Sequence, residues 1–338
     1  MAIRAHTHIG ETKTSRAASG DAARARKAAG KKRFTHPKPT PRWSKAAPIT
    51  FKTRSTLDDA IAAVIAGCRD HWQLNLPAAL DGRNAEGVHQ VRVGLRRFRS
   101  ALSLFKAFMP ENQRDWLNTE GKWLANQLGA VRDLDVLLAD LEKRSRKNDE
   151  SAAALGNAVR SARTHARTSA MNALRGPRMR RFAARVETWL SGHGWYVDDA
   201  EIPDVGAFAR EALNKRMKKI QAVAARADKL TVPERHELRI AVKKLRYSLE
   251  FLMPVLSEKR AQRANAVLKR VQDSLGHLND LDVAERTLAL VAARATPAER
   301  RLMKKAGDAL KSAHRKAAAK AEPETERLCH KLVKLPAF

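Results

Sequence analysis

The chain has 338 residues, enough to bury a sizeable core and to form about two domains. Its 66 lysines and arginines against 36 acids give a formal net charge of +30, which predicts attraction to polyanions such as nucleic acid, polyphosphate or an anionic membrane surface. Two cysteines exclude a disulfide framework, and the absence of any apolar run of about 18 residues excludes a membrane-spanning helix. We therefore expect a cytoplasmic protein without membrane insertion.

Residues 1–53 form a basic N-terminal tail, which we expect to be disordered. The first 50 residues contain 12 Lys or Arg against only Glu11 and Asp21, and their apolar residues show no sustained period. Such a tail is either a non-specific polyanion-binding arm, through which nucleic acid could bind, or a solubilising extension. Composition favours neither interpretation over the other.

From Thr56 onward the apolar residues recur at helical spacing, which predicts an all-α body. Glycines, a proline and turn formers at 191–204 separate a first helical repeat, 54–195, from a second, 205–338. Short loops imply antiparallel neighbours and hence two helical bundles in tandem. The predicted helices lie near 56–75, 86–107, 112–127, 131–147, 151–174 and 178–191, then near 205–226, 233–253, 258–274, 279–294, 297–320 and 324–334.

The two repeats share a motif in which regularly spaced cations follow a histidine. The segment His89-Gln-Val-Arg92-Val-Gly-Leu-Arg96-Arg97-Phe-Arg99 returns 147 residues later as His236-Glu-Leu-Arg239-Ile-Ala-Val-Lys243-Lys244-Leu-Arg246. A second segment, Leu128-Gly129-Ala-Val-Arg132-Asp133, matches Leu275-Gly276-His-Leu-Asn279-Asp280 at the same offset. Two matches at one offset indicate an internal duplication.

The spacing of this motif predicts a ridge of cations on one flank of a helix. On a helix that advances about 100° per residue, His89, Arg92, Arg96 and Arg99 fall within an arc of about 80°, beside an apolar arc that would face the core. Cations one turn apart repel each other, so the ridge favours an anionic ligand. A solvated helix face is the alternative interpretation for any single arginine.

The candidate set extends beyond the ridge to other matched positions. Arg69 matches Arg216 and Lys122 matches Lys269 at the same offset, so these four residues and Arg132 are secondary candidates for the same groove. Asp133 and Asp280 either cap the helix that follows a Leu-Gly break or orient the basic side chains. Each histidine is either a satisfied residue near a helix start or an N–H donor to a bound anion.

These motifs resemble those of the CHAD family, the conserved-histidine α-helical domain, over about residues 54–338. The resemblance implies two pseudo-symmetric helical bundles around a basic central cavity that binds inorganic polyphosphate, with some members associated with polyphosphate granules. We expect no cofactor. The resemblance also implies that ten residues face the cavity: His89, Arg92, Arg96, Arg97, Arg99, His236, Arg239, Lys243, Lys244 and Arg246. The second repeat has Asn279 at the position that Arg132 occupies in the first, so we expect no cation role at this position in the second repeat.

The expected function is therefore non-catalytic binding of polyphosphate, with two alternatives. Many family members carry a triphosphate tunnel domain with a Glu-x-Glu-x-Lys signature, which is missing here; the nearest string, from Glu322 to Arg327, lies where we predict the last helix to start. Non-specific nucleic-acid binding is the second hypothesis, although aromatic residues are only 5% of the chain. Metal binding is the third, because histidines and aspartates are competent ligands, but none of them lie at local ligand spacing.

Overall fold

The computed structural model describes residues 40–145, 148–195 and 204–338. Within these ranges the chain forms nine α-helices and no strand, so the all-α prediction is confirmed. The helices are α1 (Leu57–Asp81), α2 (Ala85–Leu104), α3 (Glu111–Arg144), α4 (Glu150–Arg175), α5 (Pro177–Ser191), α6 (Val205–Ala224), α7 (Val232–Phe251), α8 (Glu258–Arg294) and α9 (Pro297–Val333).

Helix starts recur at the spacing of the duplicated motifs. Helices α2, α3 and α4 begin at residues 85, 111 and 150, and α7, α8 and α9 begin at 232, 258 and 297. Capping boxes fix the first residues of α7 and α9. The side chains of Thr231 and Thr296 accept a hydrogen bond from the backbone N–H of the glutamate three residues later, and the carboxylate of that glutamate accepts one from the threonine N–H. The residues that match α5 at this offset, 324–338, continue α9 as far as Val333 and form no separate helix.

Two hydrophobic cores hold the helices together, and both contain residues from each repeat. The main core takes residues from all nine helices, and residues 40–338 form one compact unit. A smaller core lies between the C-terminal halves of α3 and α8 and the N-terminal halves of α4 and α9, around Leu137, Leu155, Leu288 and Leu310. The two repeats are therefore joined by shared cores.

Three predicted helix breaks are wrong. The helices predicted at 112–127 and 131–147 are one helix, α3, which ends at Arg144, and α8 and α9 likewise run through the breaks predicted near 275 and 321. A long helix can bury one end in the main core and the other end in the smaller core. In α9, Leu328 lies in the main core and Leu310 in the smaller one. That burial outweighs the roughly 1 kcal/mol that a mid-helix glycine costs, and α9 even accommodates Pro323.

Part of the predicted tail packs onto the body. Residues 40–53 contain no regular secondary structure, but Ile49 is only 7% exposed and lies in the main core. The backbone N–H of Ser44 donates to Asn75 Oδ1 (2.9 Å), and Asn75 Nδ2 donates back to the Ser44 carbonyl (3.0 Å). The predicted disorder is therefore wrong for this stretch, while residues 1–39 lie outside the described ranges. No helix in the described part of the chain has the length and apolarity needed to cross a membrane.

Candidate functional site

Helices α2 and α7, which carry the histidine–cation motif, pack against each other. Each is anchored by apolar residues at helical spacing: Leu95 and Phe98 in α2, and Val242 and Leu245 in α7, are fully buried. The cations occupy the flank beside this apolar face, where most of them are half-buried. The periodicity of the two segments thus brings both cation rows to the region where the repeats meet.

Four cations, two from each helix, form what we call the central cluster: Arg92, Arg96, Arg239 and Lys243. The pKa of Lys243 falls from 10.5 to about 7, chiefly because the side chain is buried. The charges of Arg239, Arg96 and Arg92 lower it further. Burial also lowers the pKa of Arg239, and so does the charge of Arg96 from the other repeat. Helices α2 and α7 pack against each other, so the charges of the two rows act on one another across the repeats.

The guanidinium groups of the central cluster have hydrogen-bonding capacity left over. The Nε atoms of Arg92, Arg96 and Arg239 are buried and meet no acceptor within the described ranges. The same holds for Nδ1 of His89, one turn before Arg92. Buried polar atoms of this kind are rare in folded proteins because each one costs about 1–3 kcal/mol when unsatisfied. The cluster is therefore suited to a ligand rich in acceptor oxygens.

Two aspartates offset part of the positive charge. Asp133 of α3 lies 3.5 Å from an Arg92 NH atom, and Asp280 of α8 lies 3.7 Å from an Arg239 NH atom. Burial raises the pKa of Asp133, and nearby Asp280 raises it further. Both aspartates lie inside long helices, so the capping role considered for them is wrong. They are placed to orient one arginine in each repeat.

The conserved spacing of the two Leu-Gly segments has a packing explanation. A Cβ on Gly129 would lie 3.4 Å from an Arg92 NH atom, and one on Gly276 would lie 3.7 Å from Arg239 Nε. The Gly129 carbonyl accepts a long hydrogen bond (3.4 Å) from Arg92. These glycines are therefore contact surfaces for the guanidinium groups, where the sequence pattern had indicated helix breaks.

The two histidines lie in related but unequal surroundings. Burial lowers the pKa of His89, and the neighbouring charge of Arg132 lowers it further. His236 is exposed, and its Nδ1 donates to Asn279 Oδ1 (2.6 Å). Position 132 or 279 thus faces the histidine in each repeat, and asparagine gives a hydrogen bond where arginine gives repulsion. Across the residues that the structure describes, no three His, Cys, Asp or Glu side chains come together as metal ligands.

A second group of cations, which we call the outer cluster, consists of Arg99, Arg216 and Lys244. Burial lowers the pKa of Arg99 and Arg216. Lys244 is more exposed, and partial burial together with the charges of Arg216 and Arg99 lowers its pKa. Arg99 Nε donates to Asn118 (2.9 Å), and Arg216 donates to the backbone carbonyl of Ser103 (2.9 Å). No carboxylate in the described ranges pairs with any of the three, so this cluster also carries uncompensated charge.

The comparisons with known proteins agree with this architecture. The family model for the CHAD domain matches residues 63–289, about two thirds of the chain. The chain belongs to the CHAD family. The resemblance inferred from the motifs is thus confirmed at the level of the whole domain.

Two solved structures show how far the similarity extends. The crystal structure of the CHAD domain from the plant Ricinus communis superposes with a TM-score of 0.76 at 29% identity, covering 88% of this chain and 98% of that one. PptA from Streptomyces chartreusis superposes with a TM-score of 0.59 at 18% identity, covering 81% of this chain and all of that one. The second match shows a common fold alone. No curated protein matches the sequence significantly.

One motif residue of this CHAD chain does not face the basic site. Arg97 is only 2% exposed, forms an ion pair with Glu250 of the other repeat, and lies over the rings of Tyr247 and Phe251 at 5.9 and 5.2 Å. The prediction that Arg97 faces the cavity is therefore wrong, because an acid and two aromatic rings engage the guanidinium. Its counterpart Lys244 has no such acid and belongs to the outer cluster.

The remaining candidates are divided between structural contacts and open surface. Arg69 pairs with Glu187 and with Asp70, so its charge is compensated within the fold. Arg246 donates to Asn265 (3.3 Å) and Gln272 (2.9 Å). Lys122 and Lys269 are exposed on α3 and α8. The structure thus brings these four residues into neither cluster.

Two residues that orient motif arginines lie outside the sequence motifs. Asn118 bonds Arg99 and Asn265 bonds Arg246, so each repeat uses an asparagine from its long helix to hold the last arginine of the motif. The two asparagines are themselves 147 residues apart. The offset of the duplication was the signal that could have found them.

Proposed function

We propose that this CHAD protein binds inorganic polyphosphate without converting it chemically, and that the chain lies along the central and outer clusters. The observation that carries the proposal is uncompensated charge: seven cations in the two clusters face only Asp133 and Asp280. Buried guanidinium donors of both repeats also lack acceptors among the described residues. A ligand that supplies many anionic oxygens relieves both.

The chemistry of polyphosphate suits these residues. Each internal phosphate carries about one negative charge and several acceptor oxygens, and it presents no base or sugar to recognise. Arginine offers a planar fork of donors that matches a phosphate, and lysine offers a compact charge, so a mixed row holds such a chain without further specificity. The CHAD family is associated with polyphosphate, which supports the same ligand. In cells we expect the protein at polyphosphate granules.

Nucleic acid is the competitor that the experiments must exclude. Proteins that bind single strands place aromatic rings where successive bases can stack. Tyr247 lies one helical turn after Lys243 on α7, and its ring stacks on Phe251 and contacts Arg97. This ring is engaged within the fold, and we therefore expect phosphates to be recognised and bases to be ignored.

Titration with polyphosphate of defined length, in competition with single-stranded DNA at equal charge concentration, tests the proposal. We expect polyphosphate to displace the DNA and to be recovered with its length unchanged. Displacement of polyphosphate by DNA would favour the nucleic-acid hypothesis, and shortening of the chain would contradict a non-catalytic role. Binding that requires a divalent ion would favour the metal hypothesis.

The site itself is tested with two charge reversals. Arg96→Glu places an anion inside the central cluster and should remove most binding. Lys122→Glu makes the same type of charge change on an exposed position of α3 and should bind nearly as well as the unaltered protein. Equal losses from both variants would show that only total charge matters. Circular dichroism and thermal melting confirm that both variants are folded.

A further inference from the structure

Lys243 is the single lysine of the central cluster, and its position in the duplication is occupied by Arg96 in the first repeat. The cluster thus contains three guanidinium groups and one primary amine. A guanidinium in a protein remains charged at any physiological pH, whereas an amine can release its proton. Lys243 is therefore the one cation of this cluster that can relieve the mutual repulsion by losing its charge.

Charged groups surround Lys243 on four helices. Arg92 and Arg96 act on it from α2, with His89 one turn before them, and Arg239 acts from its own helix. The acids that could compensate are Asp280 of α8 and, next to Arg92, Asp133 of α3. Tyr247 lies one turn further along α7.

The acids are already engaged. Asp133 is paired with Arg92 and Asp280 with Arg239, and no carboxylate in residues 40–145, 148–195 and 204–338 forms an ion pair with Lys243. The Lys243 side chain is half-buried, and this burial is the main reason that its pKa falls to about 7. Without a ligand, the ammonium form is therefore partly desolvated and has no counterion.

We propose that Lys243 is partly uncharged in the ligand-free protein at neutral pH and takes up a proton when a polyanion enters the central cluster, so that ligand binding and protonation are coupled. The coupling rests on the proposed function. Phosphate oxygens supply the counterion that the cluster lacks, which restores the ordinary preference of the amine for its charged form. Rising pH weakens binding because the proton must then be taken from a more dilute supply.

The size of the effect follows from the two protonation equilibria. With a pKa of about 7 in the free protein and a value near the usual ~10.4 in the complex, binding should weaken about tenfold from pH 6 to pH 8. About 0.9 of a proton should be taken up for each binding event at pH 8, and about half a proton at pH 7. The Lys243→Arg variant keeps the positive charge at every pH. Its affinity for polyphosphate should therefore change little between pH 6 and pH 8, and its proton uptake should fall to near zero.

Calorimetric titration with long-chain inorganic polyphosphate, in two buffers of different ionisation enthalpy at pH 8, measures the proton uptake. Long chains are used because terminal phosphates, which titrate near pH 6, are then a small fraction. Lys269→Arg is the matched control, because this lysine is exposed on α8 and belongs to neither cluster, and it should keep the uptake. Proton uptake that persists in Lys243→Arg, or that disappears in Lys269→Arg, overturns the assignment to Lys243.

A ligand-free measurement separates this inference from the proposed function. Nuclear magnetic resonance of the lysine side chains should show one amine that titrates near pH 7 and is missing in Lys243→Arg. Binding of polyphosphate without proton uptake would reject the coupling and leave the proposed function standing. Failure of polyphosphate to bind at any pH would reject the proposed function and the coupling with it.

Discussion

The salt dependence of polyphosphate binding is the quantity that the two clusters determine most directly. Seven cations less the two paired aspartates leave five positive charges to neutralise phosphates. By analogy with single-stranded nucleic acid, each neutralised phosphate contributes about 0.7 to the slope of log affinity against log salt, giving a slope of about −3.5. Affinity should then fall about a hundredfold between ~50 and ~200 mM salt.

A double substitution tests whether these residues are the source of the slope. Arg92→Ala with Arg96→Ala leaves three net charges, so the slope should fall to about −2 and the loss over the same salt range to about twentyfold. Fluorescence anisotropy with end-labelled polyphosphate at pH 7 measures both slopes. An unaltered protein whose slope is shallower than about −1, or a double variant with an undiminished slope, would refute the counterion argument for this site.

Three further changes have separate readouts. Asp133→Asn with Asp280→Asn removes the internal counterions and should tighten polyphosphate binding and steepen the salt slope by about 1.4; unchanged affinity would mean that the aspartates do not compete with the ligand. Glu250→Gln should lower the free energy of unfolding by about 2–3 kcal/mol and leave polyphosphate binding the same; the loss is less than the ~3–5 kcal/mol of a fully buried pair because Glu250 is 40% exposed. Denaturant unfolding measures this change. A loss of binding instead would place Arg97 in the site. Asn118→Ala should weaken binding several-fold in the same anisotropy assay, because Arg99 loses its orienting acceptor; a stability loss without any change in affinity would contradict that role.

The positions of the cations on their helices could be read from the sequence because helical geometry is local. The 3.6-residue period places every third or fourth side chain on one flank, whatever lies across from it. The period and the duplication therefore predicted the two helices that carry the histidine–cation motif, α2 and α7, within a few residues of their bounds. They also predicted that Arg92, Arg96, Arg239 and Lys243 belong to one set of cations, and these residues lie on two helices that pack against each other.

The fate of each charge could not be read in the same way. Arg97 is an arginine of the motif, as Arg96 and Arg99 are, and the sequence does not distinguish it from them. Its partner Glu250 lies 153 residues away in sequence and contacts it only after both repeats have folded. Gly129 looks like a helix break because glycine disfavours helices, yet α3 continues through it since the ends of that helix are buried in two different cores. Pairing and burial of this kind depend on contacts between distant segments.

By itself the sequence determined the helical class, the internal duplication, the cation-bearing faces and the excess of positive charge, because period, composition and offset are properties of neighbouring residues or of simple counts. Only the tertiary structure decided which cations are neutralised and which remain uncompensated. It also decided that long helices join the two repeats into one body. Electrostatic free energies depend on the distance and burial of partners from remote parts of the chain, and those are settled by packing.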